Sequence, residues 1–150
     1  MNKTSIFATL GGAALLAATA LAFTSGRSAA TEVMLYKNPQ CGCCEEYADY
    51  LRGHGFDVKV KATHDLVEMS EQAGVPGLLH GCHLSHVEGY AVSGHVPIDT
   101  LRRLLAERPD IKGISLPGMP QGSPGMSGVK ERPFKIYRFG NGETRVYATE

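Results

Sequence analysis

The sequence has little net charge, because 15 lysine and arginine residues are balanced by 15 aspartate and glutamate residues. A basic face is the usual footprint of a nucleic-acid-binding protein, so the composition argues against nucleic acid as a partner. The first 30 residues contain no acidic residue and two basic ones, Lys3 and Arg27. The rest of the chain therefore has 13 basic and 15 acidic residues, and its net charge is −2.

Long apolar runs are also absent apart from one at residues 6–23, which contains no charged residue. A lysine precedes this run, and the small residues that a signal peptidase requires occur at 28–30. We therefore predict a cleaved signal peptide at residues 1–30 and an exported protein that is not attached to the membrane after cleavage. An uncleaved membrane anchor is the alternative. Because no cysteine directly follows the run, lipid attachment is not expected.

Residues 31–150 are enough for one domain with a hydrophobic core and too few for two. The predicted elements are a strand at 32–36, a helix from the cysteine cluster to Gly53 or Gly55, a strand at 56–62, a helix at 65–73, a hairpin with strands at 82–87 and 90–93, and a helix between Pro97 and Pro109. A strand, a cysteine-bearing loop, a helix and a second strand are typical of the thioredoxin-like arrangement. We predict an α/β, thioredoxin-like domain over residues 31–112.

The first predicted helix has a single apolar stripe, formed by Cys44, Tyr47, Ala48 and Leu51. In the third, Ile98, Leu101, Leu104 and Leu105 are expected to face inward. Both helices should pack one face against a sheet.

The C-terminal quarter of the chain differs in composition. Residues 113–128 show neither helix nor strand period and contain two Pro-Gly-Met units. A loop of that length in a compact domain is usually functional or disordered. Residues 134–139 and 144–148 follow as a predicted terminal hairpin. We predict that residues 113–150 form an extension that packs on the same domain.

Cysteine is scarce, but three of the four cysteines lie within four residues: Cys41, Cys43 and Cys44 cluster together, and Cys82 is the fourth. Three sulfurs so close together cannot all pair as ordinary structural disulfides, because neighbouring cysteines bridge only with strained geometry. In an oxidising compartment, free thiols need a metal or a redox cycle to protect them. Soft thiolates on one turn of backbone suit Cu(I) or zinc, or thiol redox chemistry.

Cys41 and Cys44 form a Cys-x-x-Cys motif, in which Cys41 at a helix N-terminus could be the attacking thiolate of a thiol–disulfide oxidoreductase. Cys43 argues against a simple version of this chemistry, because a third thiol would compete in the exchange. A helix N-terminus also stabilises metal-bound thiolates. The residues therefore favour a metal site and leave disulfide exchange as the alternative. Cys82 is expected to be a further ligand rather than only a small buried residue.

Histidine and methionine supply further candidate ligands. His83 and His86, on a predicted strand, should point to opposite faces, whereas His95 precedes the third helix and either reaches the site or caps a loop. Taken singly, each histidine is more often structural than a ligand.

Met119 and Met126 lack helix or strand spacing. Because thioether sulfur binds Cu(I) well and zinc poorly, they favour copper; the alternative is that they pack the loop onto the core.

Several motifs occur in one order along the chain: Tyr36-Lys-Asn-Pro-Gln-Cys41-Gly-Cys-Cys44, Cys82-His83, Glu88-Gly-Tyr90, Gly94-His-Val-Pro97, Leu104-Leu-Ala-Glu-Arg-Pro109 and Gly118-Met-Pro-Gln-Gly-Ser-Pro-Gly-Met126. Together with the terminal hairpin they resemble the CopG-type copper-resistance proteins, an exported bacterial family. The resemblance covers essentially all of residues 31–150. The combination of Cys-x-Cys-Cys with Gly-Met-Pro-x-Gly-Ser-Pro-Gly-Met makes it specific.

The resemblance implies a thioredoxin-like domain whose C-terminal extension helps to bind metal, and a thiolate-bridged, multinuclear Cu(I) site with a role in Cu(I)/Cu(II) interconversion. The residues that match the family's metal-site motifs are Cys41, Cys43, Cys44, Cys82, Met119 and Met126, and His83 and His95 lie within these motifs. The Asn-Pro-x-Cys arsenate reductases are similar at the start of the pattern. However, no arginine follows Cys41 at the spacing that would stabilise an arsenate adduct.

The sequence therefore predicts a periplasmic copper-binding protein of copper resistance, with interconversion of Cu(I) and Cu(II) as a candidate enzymatic activity. A thiol–disulfide oxidoreductase that acts on a partner's cysteines is one alternative, and a non-catalytic copper store or shuttle is another. The predicted partners are copper ions, with other periplasmic copper-handling proteins as candidates.

Overall fold

The computed structural model describes residues 29–150, so the predicted signal peptide lies outside the described residues except for its last two positions. The described chain forms a mixed α/β fold. Its elements are β1 (Glu32–Lys37), α1 (Gly42–Gly53), β2 (Asp57–Ala62), α2 (Leu66–Gln72), a short 3-10 helix (Gly77–Leu79), β3 (His83–Val87), β4 (Tyr90–Ser93), α3 (Ile98–Glu107), β5 (Gly113–Ser115), β6 (Lys135–Phe139) and β7 (Arg145–Thr149). Among these residues, no helix is long and apolar enough to cross a lipid bilayer.

The strands form one sheet in the order β2-β1-β3-β4-β5-β6-β7. The pairs β1–β2 and β4–β5 are parallel, and the other neighbours are antiparallel. In the β1–β3 pair, Lys37 lies opposite His83. The end of β1 therefore meets the beginning of β3, and these are the two points next to which the cysteines occur. Strand pairing alone brings Cys82 close to the Cys41–Cys44 loop.

The two faces of the sheet pack against different helices. Alternate side chains of a strand point to opposite faces, and Val33 and Leu35 of β1 join the larger core with α1 and α3. On the other face, Leu84 and Phe139 form a smaller core against which Met69 of α2 packs. The candidate site lies on the larger core, at the end of the sheet where α1 begins.

The predicted apolar stripe of α1 is confirmed, since Cys44, Tyr47, Ala48 and Leu51 are its buried residues. In α3, however, Leu105 is only partly buried, and Thr100 occupies a buried position instead. The Thr100 hydroxyl is satisfied there by a hydrogen bond to the Glu150 carboxylate. A polar side chain can therefore be buried at this position, because the C-terminal residue supplies its hydrogen-bond partner.

Residues 113–115 were expected to belong to a loop, and this was wrong, because they form β5 between β4 and β6. Glycine is rare in strands, and Gly113 is needed here for close approach: a Cβ at this position would lie 1.8 Å from the carbonyl oxygen of Ala91 on β4. The loop therefore begins after Ser115. A smaller correction concerns Cys82, which lies one residue before β3 rather than on it.

Candidate metal centre

The loop between β1 and α1 presents the first three cysteines. Asn38 closes the turn, because its side-chain oxygen accepts a hydrogen bond from the N–H of Gln40 at 3.1 Å. Its carbonyl oxygen also accepts one from the N–H of Cys41 at 3.0 Å. Cys41 is the N-cap of α1 with an extended backbone, so Cys43 and Cys44 fall in the first helical turn. The positive end of the helix dipole therefore faces the sulfurs.

A buried lysine holds this loop from inside. Lys37 is 5% exposed, and its ammonium group donates to the carbonyl oxygens of Asn38, Pro39 and Cys41 at 3.4, 3.3 and 3.2 Å. It also forms an ion pair with Glu45 at 3.1 Å. A buried charge must be paired and hydrogen-bonded, and these contacts meet that requirement. The chain from β1 to Cys41 is thus wrapped around one cation.

The four sulfurs converge on one point. Cys41 and Cys44 form a disulfide, whereas Cys43 and Cys82 are free thiols. The Cys41 and Cys43 sulfurs are 3.5 Å apart, and all four sulfur atoms lie within 4.8 Å of one another. The disulfide uses the Cys-x-x-Cys spacing and leaves Cys43 between its partners as an additional thiol.

A second donor group overlaps the first. The ligand atoms of Cys44, Cys82, His83 and His95 also lie within 4.8 Å of one another. Both histidines are fully buried. The structure therefore brings together two sulfurs and two imidazoles, and the two sulfurs belong to both groups.

Hydrogen bonds define the tautomer of His95. Its Nδ1 lies 2.5 Å from the Pro124 carbonyl oxygen, which can only accept, so Nδ1 carries the proton. The Nε2 lone pair then faces the Cys82 sulfur at 2.9 Å. Burial, with the nearby Cys43 second, raises the pKa of Cys82 to about 12, so its thiol proton is donated to Nε2. A carbonyl that orients a ring in this way is the usual support for a metal-binding histidine.

His83 has an orphaned nitrogen. Its Nε2 is buried without a hydrogen-bond partner among residues 29–150, and such atoms are rare in native structures. Burial, and next the neighbouring His95, lower the pKa of His83 to about 3, so the ring is neutral, the form that binds metals. As predicted, His83 and His86 lie on opposite faces of β3, since the former is buried and the latter exposed.

Tyr47 was expected only as a core residue, but the structure places it against the site. Its ring centroid is 4.7 Å from that of His83 and 4.9 Å from that of His95, and its hydroxyl donates to the Val96 carbonyl at 2.8 Å. Burial raises its pKa above the ordinary tyrosine value, so it remains a neutral hydrogen-bond donor. Tyr47 therefore fixes both imidazoles, and nothing in its sequence position distinguishes this role from packing.

The C-terminal extension reaches the site through residues 124–127. Met126 and Gly125 line an open cavity of about 520 Å³ together with Cys43. Gly125 has φ +75°, and a Cβ there would lie 2.6 Å from the backbone nitrogen of Tyr47. The loop backbone is thus pressed against α1. Met119 is 41% exposed and does not line this cavity, so of the two predicted methionine ligands it is Met126 that shares this cavity with a cysteine of the cluster.

The residues present fit a soft metal ion. The site offers thiol sulfur and neutral imidazole nitrogen, with a thioether at its edge, and these donors suit Cu(I) and zinc rather than hard cations such as calcium or magnesium. The ring nitrogen of His83 that faces the sulfurs is Nδ1, which lies 3.6 Å from the Cys82 sulfur. The same cysteines can also cycle between dithiol and disulfide.

Part of the chain matches the model of a known family. The family model described as "Protein of unknown function, DUF411" matches residues 79–126. This segment contains Cys82, His83, His95 and Met126, and it excludes the cysteines of α1 and its cap. A comparison with curated proteins yields no match.

Two solved structures are similar over most of the chain. The first, "Copper resistance protein copG- Form 2", is 31% identical, covers 81% of this chain and 98% of its own, and has a TM-score of 0.75. The second, "Copper resistance protein copG- Form 1", is also 31% identical, covers 79% and 96%, and has a TM-score of 0.73. The identity, the nearly complete coverage and the shared fold together show that the chain belongs to the family of the copper resistance protein CopG.

Proposed function

We propose that the protein binds copper in the periplasm and contributes to copper resistance. The observation that carries the proposal is the overlap of two soft donor groups, one of four sulfurs and one of two sulfurs and two imidazoles. The similar solved structures are of a copper resistance protein, which supports copper as the metal. The proposed export rests on the sequence pattern of residues 1–30, and the periplasm as its destination rests on the resemblance to the exported CopG-type proteins.

The donor arrangement supports a site for more than one Cu(I) ion. Cys44 and Cys82 belong to both donor groups, and a thiolate sulfur can bridge two soft ions. Cys41 and Cys43 would complete the sulfur-rich side, and His83 and His95 the nitrogen side. Met126 would close the site from the extension, whereas the exposed position of Met119 supports it less.

The Cys41–Cys44 disulfide supports a redox role toward copper. The reduced pair can give one electron to each of two Cu(II) ions; the two sulfurs then join as a disulfide, two protons leave, and two Cu(I) ions are formed. Cys43, Cys82 and the two imidazoles remain available as donors in the oxidised state. An external dithiol must return two electrons and two protons before the next cycle.

A thiol–disulfide oxidoreductase is the second candidate, and the same disulfide favours it. Cys41 occupies the N-cap of α1, the position of the attacking thiolate in this chemistry. We also propose that residues 31–112 form a thioredoxin-like domain, because β1, α1 and the parallel β2 are followed by the β3–β4 hairpin and α3. Under this alternative, Cys43 and the histidines would have no necessary ligand role.

Anaerobic titration of the fully reduced protein with Cu(I), followed by metal analysis after desalting, tests the copper proposal. We expect more than one Cu(I) per chain and a thiolate-to-copper charge-transfer band. One equivalent or less, or a preference for zinc over Cu(I), would contradict the multinuclear copper site.

A further inference from the structure

A second group of soft donors lies on the face of the sheet opposite the cysteines. Met34 of β1 and His86 of β3 are directly opposite each other in the antiparallel β1–β3 pair. Side chains at such positions point to the same face, with their Cβ atoms about 5 Å apart. This face is the one that α2 covers, because Leu84, two residues before His86 on β3, belongs to the smaller core. The cysteines pack on the larger core, so the two groups are separated by the sheet.

Helix α2 brings a second thioether to the same ring. Met69 packs against the smaller core and lines, together with His86, an open cavity of about 250 Å³. A second open cavity, of about 580 Å³, is lined by His86 together with Met34. His86 is thus shared by both cavities, and each of them contains one methionine. The ring is exposed, so an ion from solvent can reach it.

Core packing does not account for Met34. The residue is partly buried, yet it is neither a member of the two hydrophobic cores of residues 29–150 nor among the side chains packed against them. Methionine is unbranched and has three rotatable bonds. From a Cβ that is about 5 Å from that of His86, its sulfur can therefore reach the imidazole ring.

The carboxylates beside the ring are already paired. Glu32 and Glu88 line the larger of the two cavities, but Glu32 forms an ion pair with Lys59 and Glu88 with Arg108. Burial lowers the pKa of His86 below the ordinary histidine value, so the ring is neutral at neutral pH, the form that binds metals. The remaining donors are one imidazole and two thioethers, and thioether sulfur selects Cu(I) rather than zinc or hard cations.

We propose that His86, Met34 and Met69 form a second copper site, which binds one Cu(I) ion through imidazole nitrogen and thioether sulfur. The site goes beyond the proposed function, because it uses no cysteine and lies on the other face of the sheet. All of its donors are neutral, so no negative charge offsets that of the ion. It should therefore bind Cu(I) more weakly than the thiol-rich centre and fill after it.

The test is an anaerobic titration of the reduced protein with Cu(I), continued after the thiolate-to-copper band stops rising. Methionine labelled with ¹³C at the methyl group reports on each thioether, and substitution by leucine assigns each signal. In this second phase, the signals of Met34 and Met69 should shift while the band stays constant, because no thiolate takes part. The signal of exposed Met119 is the internal control and should not move in this phase.

Two variants test the donor set. His86→Asn and Met34→Leu should each weaken the additional equivalent by about tenfold or more, since loss of even an outer-shell partner of a metal site costs about that much. Both should leave the thiolate band unchanged. His64→Asn is the matched control, because this ring is also exposed but lines neither cavity. Signals of Met34 and Met69 that stay fixed at saturating Cu(I), or that shift equally in His86→Asn, would overturn the proposal.

Zinc distinguishes the proposed site from a carboxylate site in the same cavity. Because zinc binds thioethers poorly, Zn(II) should leave both methyl signals in place. Equal shifts with Zn(II) and Cu(I) would assign the binding to Glu32 and Glu88 and overturn the copper site.

The two readouts also separate this inference from the proposed function. A missing thiolate band with the expected methyl shifts would contradict the thiol-rich copper centre and support the second site. A normal band with fixed methyl signals would contradict the second site alone.

Discussion

At the residue scale, the candidate site depends on how each donor is held. The ammonium group of Lys37 holds Cys41 by a hydrogen bond to its carbonyl oxygen. The carbonyl oxygen of Pro124 holds His95 by accepting a hydrogen bond from its Nδ1. Cys43 differs, because its sulfur is free and borders the open cavity beside Met126. The role of Cys43 therefore separates the two candidate functions.

We expect Cys43→Ser to lower Cu(I) stoichiometry and affinity about as much as Cys41→Ser, because both sulfurs belong to the all-thiol donor group. In a disulfide oxidoreductase, by contrast, Cys43→Ser would keep the working Cys41–Cys44 pair. Copper titration and an insulin-reduction assay on both variants check this. Strong reductase activity in Cys43→Ser, together with unchanged copper binding, would favour the oxidoreductase.

At the element scale, the extension acts through the short stretch that touches α1. Its two Pro-Gly-Met units look equivalent in sequence, but the structure places them differently. Met126 lines the cavity beside Cys43, whereas Met119 is 41% exposed. Similarly, Gly125 is pressed against α1 and Gly118 has open space around it. Each unit is therefore the natural control for the other.

Met126→Leu should weaken Cu(I) binding, because leucine keeps volume and apolarity but removes the soft sulfur. Met119→Leu, the matched control, should have a smaller effect, and the double variant should resemble Met126→Leu. Both single variants should melt within a few degrees of the wild type without metal. Competition with a Cu(I) chelator measures the affinities. Equal affinities in all four proteins, the wild type included, would make both methionines packing residues.

Gly125→Ala should be more damaging than Gly118→Ala. Both glycines have positive φ, +75° and +79°, so alanine is strained at both by about 1 kcal/mol. Only at Gly125 would the new Cβ meet backbone, 2.6 Å from the Tyr47 nitrogen. Lifting the loop would also remove the Pro124 carbonyl from His95. We expect a larger loss of thermal stability and weaker copper binding in Gly125→Ala; equal effects would show that the loop is not held at this point.

At the scale of the whole molecule, the buried histidines couple stability to pH. Burial lowers the pKa of His83 to about 3 and also lowers that of His95. In the unfolded chain both rings titrate near the ordinary value of about 6.5. Below that pH the unfolded state binds protons at both rings, whereas the folded state keeps the rings neutral. The contribution of these rings to the free energy of unfolding is therefore fully present above about pH 6.5 and is lost as the pH falls.

We therefore expect the free energy of unfolding of the metal-free protein to decrease from pH 7 toward pH 4, with a slope that reflects proton uptake by the unfolded state. His83→Asn should reduce this slope even if it changes the stability at pH 7. His64→Asn is the control, since that ring is not buried. Urea denaturation at a series of pH values checks the slopes. The same slope in His83→Asn and the wild type would contradict the assigned origin.

The sequence by itself determined most of the elements and the cysteine-bearing helix start. The local periodicity of apolar residues was sufficient to predict the buried stripe of α1. The turn residues were sufficient to predict the β3–β4 hairpin. These features depend on residues a few positions apart, where the spacing of apolar side chains reports directly on the backbone. The candidate cysteines and both histidines were also recognisable, but only as residue types in motifs.

Only the tertiary structure decided which donors meet. Cys82, His83 and His95 reach the α1 cysteines because β3 pairs with β1, and strand pairing between distant segments leaves little local trace in sequence. For the same reason, residues 113–115 became a strand once β4 and β6 supplied partners on both sides. The position of Met126 in the cavity that Cys43 also lines, and the burial of Lys37 among the carbonyls of its own loop, likewise followed from packing, because neither can be read from the spacing of residues along the chain.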